Sequence, residues 1–480
     1  MLKSFLKDGL YYSIPSFLSK GIGFLLLPLL TKVLSPSDYG SVDLFAAFVG
    51  LVNLTIALEV SQGVARYYGG EESETVKQEI FSSAFWFTIL CYTLFSLIML
   101  ASSQWVSYHI LGSKGLVLEF RIGILSMWFG GIYYLVQNQF RWELRSKEFM
   151  WTSVSVVLAT FLLSYLLTYR AKLGISGVFM AQAGGSAVGL FLGLYWLKSS
   201  LVFSLNKIVL LKMLKFSTPL VFSGIAIFIS TYVDRVMISR LMSVSEVGLY
   251  GVGFRIASVV GLVLAGFQGA VTPLVYANHM KKDTPNNIAR IFKLFIFIAL
   301  SAYLTVGVFV DDFIILFTTE EYTGAAVVVI FIFPALLISQ MYIFTPGIVI
   351  AKKTKYFFYI NIFGAVLNTI LNYFLIQELG ILGASLATLL TAILVFGIYA
   401  FFNHYFYPIP FEWGSLILAF LISLSVVFAI GTDALVLEGI LPKSGALILT
   451  LIIITLLLLG SKDISNIKEW VNANSKRFKF

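Results

Sequence analysis

Six basic side chains carry the chemistry of an otherwise apolar chain. Lys20, Arg121, Arg235 and Arg255 fall inside long apolar stretches, and Arg66 and Arg141 fall near the ends of others. A charge in hydrocarbon is costly, and it is tolerated where it faces a cavity or a partner. A guanidinium matches phosphate oxygens through two directed hydrogen bonds, so a cavity collecting these groups would suit a phosphate or pyrophosphate. Taken singly, each arginine is equally well explained by snorkelling to a headgroup or by a neighbouring carboxylate. Asp43, Glu59 and Asp234 are the candidate sites for a coupling ion, H+ or Na+. Desolvation and nearby charge together set whether a carboxyl group is ionised. Asp234 and Arg235 are consecutive, and helix neighbours do not share a face, so adjacency does not make them a pair. Neutral amides such as Asn53, Asn138 and Gln182, together with tyrosines, offer hydrogen bonds to a sugar.

Other chemistry is excluded. The three histidines (His109, His279, His404) are far apart, and Cys91 is the sole cysteine. That removes a disulfide framework, and no metal-ligand spacing is present. Phosphate-loop and dinucleotide fingerprints are missing. The carboxylates are too scattered for a catalytic constellation. A multispanning ligase or glycosyltransferase is disfavoured, because such enzymes use a sizeable outer loop and the longest here is about a dozen residues. No cofactor is expected. The net charge of +9 is spread over segment ends rather than gathered in a basic domain, which argues against nucleic acid.

The elements that must position these groups are membrane helices. The chain is 59% hydrophobic and only 12% charged, with a mean hydropathy of +0.92. Soluble proteins carry about 25% charged residues. A lipid-crossing helix needs roughly 20 residues. The expected spans are 11–33, 41–64, 80–103, 116–139, 149–169, 175–196, 216–238, 247–274, 289–310, 325–350, 356–377, 381–402, 413–430 and 442–460, about fourteen in all. With the N-terminus in the cytoplasm, 23 Lys and Arg residues fall on the cytoplasmic side, 6 opposite and four within spans. Positive residues stay inside, so both termini are expected in the cytoplasm.

The two halves echo one another. Leu34-Ser35-Pro36-Ser37-Asp38-Tyr39-Gly40 parallels Met242-Ser243-Val244-Ser245-Glu246-Val247-Gly248, at an offset of 208. Gln62-Gly63-Val64-Ala65 parallels Gln268-Gly269-Ala270-Val271, and Gly174-Ile175-Ser176-Gly177 parallels Gly380-Ile381-Leu382-Gly383, both at 206. The expected fold is an all-α polytopic membrane protein with two pseudo-symmetric six-helix lobes around a central cavity, plus a C-terminal hairpin. The lobes would be 1–206 and 207–404, with 405–480 appended. Parallel repeats of this kind suit alternating access by rocking. Pro15 and Pro219 enter matching helices, and Pro346 lies deep in another; each is a candidate hinge or a static kink.

Several motifs carry a family resemblance. Ser13-Ile14-Pro15, Pro28-Leu29-Leu30-Thr31-Lys32-Val33-Leu34-Ser35-Pro36-Ser37-Asp38-Tyr39-Gly40, Gly63-Val64-Ala65-Arg66-Tyr67-Tyr68, Tyr232-Val233-Asp234-Arg235 and Gly248-Leu249-Tyr250 resemble the polysaccharide biosynthesis flippases of the multidrug/oligosaccharidyl-lipid/polysaccharide exporter superfamily. The resemblance implies a flippase, not an enzyme. It implies movement of an undecaprenyl-pyrophosphate-linked oligosaccharide, an O-antigen or exopolysaccharide unit, from the cytoplasmic to the periplasmic leaflet of a bacterial inner membrane. Ion-coupled alternating access is part of that expectation. Arg66, Arg141, Arg235 and Arg255 would meet the anionic head, with Lys20 and Arg121 next. Membrane lipids and a polysaccharide polymerase are the expected partners. A lipid II flippase is the alternative, and a multidrug or metabolite antiporter a weaker one, since a cationic drug would want an acidic cavity.

Overall fold

The computed structural model describes Pro15, Leu18 and residues 21–459 apart from 113, 114, 262–279, 354, 433, 434, 436 and 438. Every regular element among them is helical. In order they are α1 (Gly21–Thr31), α2 (Pro36–Thr55), α3 (Val60–Tyr68), α4 (Glu74–Ala101), α5 (Ser103–Leu111), α6 (Val117–Trp142) and α7 (Ser146–Leu163, continued as a π-helix to Arg170). There follow α8 (Gly174–Trp196), α9 (Lys207–Leu241), α10 (Val244–Ala257), α11 (Thr284–Val308), α12 (Val310–Phe317), α13 (Ala326–Gln340) and α14 (Gly347–Ile350). The last are α15 (Lys355–Phe406), α16 (Trp413–Gly431) and α17 (Ile440–Leu458).

The chain is a polytopic all-α membrane protein. Among the described residues nine helices are long and apolar enough to span a bilayer, and ten if α2 and α3 form one span bent by 44°. The difference from fourteen has located causes. The 52-residue α15 covers two expected spans, joined at Gly380, whose φ of 62° and ψ of −139° suit only glycine. Helix α6 covers another but carries Glu119, Arg121 and three consecutive amides, Gln137 to Gln139. The first and eighth expected spans run into residues outside the described set.

Local sequence sets the helix starts. Ser35 caps α2: its hydroxyl accepts the Asp38 N–H, and Asp38 accepts from the Ser35 backbone N–H, with Pro36 in the first turn. That reciprocal arrangement satisfies two otherwise orphaned donors. The Asn206 side chain does the same for α9, accepting from Ile208 and Val209 N–H. Lipid-facing apolar side chains remain exposed, as on α4, where Leu90, Leu94, Leu97 and Ile98 are all open.

The helices divide into two compact units. The first contains Met1–Val252, Phe317–Tyr322 and Asn372–Gly380. In it, small residues bring α6, α7 and α8 close: a Cβ on Gly185 would strike Thr160, and one on Gly189 would strike Val156. Close approach through small residues is the usual basis of helix packing in lipid. This unit takes in α9, so its boundary at Val252 differs from the lobe edge expected at 206. The second unit contains Gly253–Leu316, Thr323–Leu371 and Ile381–Phe480. Its centre is α11, α13 and α16, with Phe292 packed on Phe344, Phe411 and Trp413, and the Tyr303 hydroxyl donating to the Ile330 carbonyl at 3.0 Å.

Candidate functional site

Within the first unit, α2 from the first half of the repeat packs along α9 from the second. At one end α2 also meets α10, through Gly40 and Gly248. A Cβ on Gly40 would lie 2.0 Å from the Val244 carbonyl oxygen, and one on Gly248 would lie 1.8 Å from the Pro36 carbonyl oxygen. Pro36 and Val244 are themselves 208 residues apart, so the contact is reciprocal under the sequence offset. Two further bonds lie nearby: Thr31 Oγ1 donates to the Phe317 carbonyl at 3.4 Å, and Arg240 Nη2 donates to the His109 carbonyl at 3.3 Å. Their acceptors are 208 residues apart and their donors 209. Further along, Gly50 lies against Phe228 and Tyr232, Leu54 against Gly224, and Gly63 of α3 against Met213.

A buried ionic cluster sits beside the glycine contact. Arg235 Nε donates to Asp43 Oδ2 at 2.7 Å, and Arg235 Nη1 donates to Asp234 Oδ1 at 3.2 Å and to the Thr231 carbonyl at 3.0 Å. The Tyr250 hydroxyl donates to Asp234 Oδ2. The guanidinium also lies over the rings of Tyr232 and Tyr250, at 5.3 and 5.5 Å from their centroids. Asp234 and Arg235 are each 4% exposed. One arginine between two buried carboxylates offsets one of their two charges and leaves no free cation in the cluster. Arg235 is thus engaged with protein, and so are Asp43 and Asp234.

The third acidic candidate differs. Between α2 and α3, Leu58 and Glu59 take left-handed conformations, with φ of 49° and 50°. Glu59 Oε2 is buried and finds no hydrogen-bond partner among the described residues. Nearby, the Tyr92 hydroxyl donates to Asn53 Oδ1 at 2.7 Å.

The remaining basic residues do not converge on one point. Arg66 is exposed in the last turn of α3. Arg141 is exposed in the last turn of α6, donating to Asn138 Oδ1 at 3.1 Å with its guanidinium over Phe149. These two helix ends are tied by the Tyr68 hydroxyl, which donates to Glu143 Oε1 at 3.1 Å. Arg121 lies on the same α6, donating to Ser103 Oγ at 2.9 Å. Twenty residues of helix put it about 30 Å from Arg141. Arg255 is half-buried in α10, and Lys20 lies outside the described residues. Pro15 is buried in helical backbone, Pro219 is exposed inside the continuous α9, and Pro346 caps α14 after a 3-10 turn. The start of α14 is held by Asn403, whose Oδ1 accepts the Gly347 N–H at 2.8 Å.

Sequence reasoning missed Tyr250 as a partner of Asp234, although the Gly248-Leu249-Tyr250 motif was its signal. It also missed the bend at Glu59, where no proline or glycine announces it. In the second unit it missed an apolar cavity of about 530 Å³, lined by residues including Phe292, Leu300, Leu337, Phe396, Trp413 and Phe420.

The family described as polysaccharide biosynthesis protein matches residues 5–279, and the family described as MatE matches residues 219–374. Lsg locus putative protein 1 of Haemophilus influenzae is 23% identical over 274 residues, 56% of this chain and 65% of that protein. Succinoglycan biosynthesis transport protein ExoT of Rhizobium meliloti is 29% identical over 269 residues, 53% of this chain and 50% of that protein. The chain therefore spans about two thirds and one half of the lengths of these relatives. Among solved structures, lipid II flippase MurJ in an inward closed conformation superposes with a TM-score of 0.68 at 17% identity, over 92% of this chain and 97% of that one. This last likeness is one of fold.

Proposed function

The chain belongs to the polysaccharide biosynthesis protein family, within the multidrug/oligosaccharidyl-lipid/polysaccharide exporter superfamily, and on that premise we propose that it is a transporter of lipid-linked oligosaccharide rather than an enzyme. The substrate is an undecaprenyl-pyrophosphate-linked O-antigen or exopolysaccharide unit, moved from the cytoplasmic to the periplasmic leaflet of a bacterial inner membrane. The lobes are spans 1–6 and 7–12, with both termini cytoplasmic and a polysaccharide polymerase receiving the product. The ExoT relative, by its name a succinoglycan transport protein, supports the substrate class.

The observation that carries this reading is the Asp43–Arg235–Asp234 cluster, which joins helices from both halves of the repeat within the family-matched region. Rocking lobes must make and break contacts of that kind once per cycle. With the cytoplasmic orientation given by the positive residues, the cluster and the Gly40–Gly248 contact lie at the outer end. At that end α2 is then in contact with α9 and α10. Arg66 and Arg141 stand exposed at the cytoplasmic end, where a pyrophosphate head would first arrive, with Arg255, Arg121 and Lys20 further candidates. Arg235 closes the outer end while it holds its carboxylates.

The apolar cavity near α16 supplies a place for part of a polyprenyl tail. It favours equally the second reading, a lipid II flippase, with which the fold is shared. Flipping in proteoliposomes tests both. The expected outcome is translocation of undecaprenyl-pyrophosphoryl glycans with lipid II ignored, and loss of flipping by at least tenfold in Arg66→Ala/Arg141→Ala with normal membrane insertion, since each lost ionic contact to phosphate is worth about 1.5–3 kcal/mol. Flipping of lipid II alone selects the second reading. Undiminished flipping by the double variant removes the two arginines from the site.

A further inference from the structure

The coupling ion has three acidic candidates, and two of them are already spent on Arg235. We propose that Glu59 is the proton-carrying carboxyl of this transporter, held neutral at the break between α2 and α3; the inference rests on the transport reading above.

The break itself is the first observation. Helix α2 ends at Thr55, α3 begins at Val60, and the two are bent by 44°. The connecting residues are Ile56, Ala57, Leu58 and Glu59, with neither proline nor glycine among them. Leu58 and Glu59 are nonetheless left-handed. That conformation costs an ordinary residue about 1–2 kcal/mol. Strain of this kind persists where the surroundings enforce it, and it concentrates at switches.

The carboxyl is the second. Oε2 is buried and has no partner among the described residues. An ionised oxygen in that position would pay several kcal/mol of desolvation, roughly the effective cost of one buried ion. A neutral carboxylic acid avoids it. The groups acting on Glu59 are Gln62 on its own helix, Tyr92 on α4 and Tyr134 on α6. From α9 the packing is made by Met213, through Gly63. The tyrosines are neutral near pH 7. No described cation stands in this set, in contrast to Asp43 and Asp234.

The third is asymmetry. The position 206 residues on is Ala265, and 208 residues on it is Phe267. The acid therefore belongs to one half of the repeat only, so charging it distinguishes the halves. The proton step balances simply. An O–H bond forms on Oε2 with a proton taken from water on one side, and it breaks to return the proton to water on the other. The carboxylate formed between those events has the Gln62 amide beside it but no described cation, and its Oε2 is unpartnered in the closed break, so ionisation favours a changed bend.

Dicyclohexylcarbodiimide reports this state directly, because it modifies protonated carboxyls in apolar surroundings. The purified full chain in lipid nanodiscs is treated with the reagent and analysed by peptide mass spectrometry. Expected is a label on Glu59 near about pH 6 that falls roughly tenfold per pH unit above its midpoint. It should be the same in sodium and choline chloride, with Asp43 and Asp234 unlabelled. Glu59→Gln should lose the label and stay monodisperse; Glu59→Asp, should Gln fail to fold, should keep it. An unlabelled Glu59 overturns the proposal, since a carboxylate held ionised by any cation, Lys20 included, does not react. A label that persists unchanged up to about pH 10 overturns it too, because a proton that never leaves cannot couple. Protection by sodium at fixed pH replaces it with a sodium site. The label is read without any sugar substrate, so failure of flipping counts against the transport reading alone.

Discussion

Removing Arg235 should be far more damaging than removing its whole cluster. Its side chain is 5% exposed, that of Asp43 13% and that of Asp234 6%, so the weak energetics of surface ion pairs do not apply. In Arg235→Met, Asp234 keeps the Tyr250 hydroxyl and its own-chain N–H at 2.8 Å. Asp43 loses the 2.7 Å bond that neutralises it. The cost of stranding a buried charge is about 3–5 kcal/mol. Replacing Asp43 as well removes the stranded charge, so Asp43→Leu/Arg235→Met should recover about 2 kcal/mol or more relative to Arg235→Met alone. Denaturation in mixed micelles, run as a double-mutant cycle, measures the difference. If the two single effects add to within about 0.5 kcal/mol, the carboxylate and the guanidinium are not coupled, and the cluster is a bystander.

Two further perturbations follow from the geometry. Gly248→Ala puts a methyl 1.8 Å from a backbone oxygen that has no freedom to move, whereas Gly50→Ala meets only aromatic side-chain carbons at 3.6 Å. The first should cost about 1–3 kcal/mol by overpacking and weaken closure of that end, and the second should be close to neutral, as read by thermal melting and by cysteine cross-linking of α2 to α10 in a Cys91-free background. Asn403→Ala strips the acceptor from the Gly347 N–H, which is buried at the break between α13 and α14. An unsatisfied buried donor costs about 1–3 kcal/mol, and hydrogen exchange at Gly347 to Ile350 should rise correspondingly; unchanged exchange would show that another acceptor takes over.

How much of this was legible in the sequence depends on the range of the interaction. The cap at Ser35 is local, and a Ser-Pro-Ser-Asp run states it outright. The repeat was read from residues that keep their offset, and the contact of Gly40 with Gly248 is reciprocal under one such offset. The charges at Asp43 and Arg235 were visible as anomalies in apolar stretches. Their pairing was not, because 192 residues separate them and only packing of α2 on α9 brings them together. Adjacency misled in the opposite direction at Asp234, since the side chain of Arg235 curls back to reach its neighbour. The count of spans among the described residues differs from fourteen where helices run together or bend. Gly380 interrupts α15 by dihedral angle rather than by composition, and the bend at Leu58 and Glu59 carries no breaker residue.

These two features lie on one lever. Asp43 and Glu59 are separated by sixteen residues, most of them the single helix α2. At 1.5 Å per residue the arm is about 24 Å. A change of about 10° in the bend, pivoting at Glu59, therefore displaces Asp43 by about 4 Å. The Arg235–Asp43 bond of 2.7 Å cannot survive that movement unless α9 follows. Gly50 and Leu54 hold α9 along the same arm, so the helices either move together or part at the ionic cluster first. A proton leaving Glu59 thus acts at a distance without any chain of polar contacts: the helix carries the displacement, and the strained break decides when it occurs. The distinguishing measurement is the distance between spin labels at Ser37 and Ser245 in Glu59→Gln and in the parent chain across pH. Gln at 59 should fix the distance at its low-pH value. A distance that tracks pH equally in both proteins would detach the outer closure from the carboxyl.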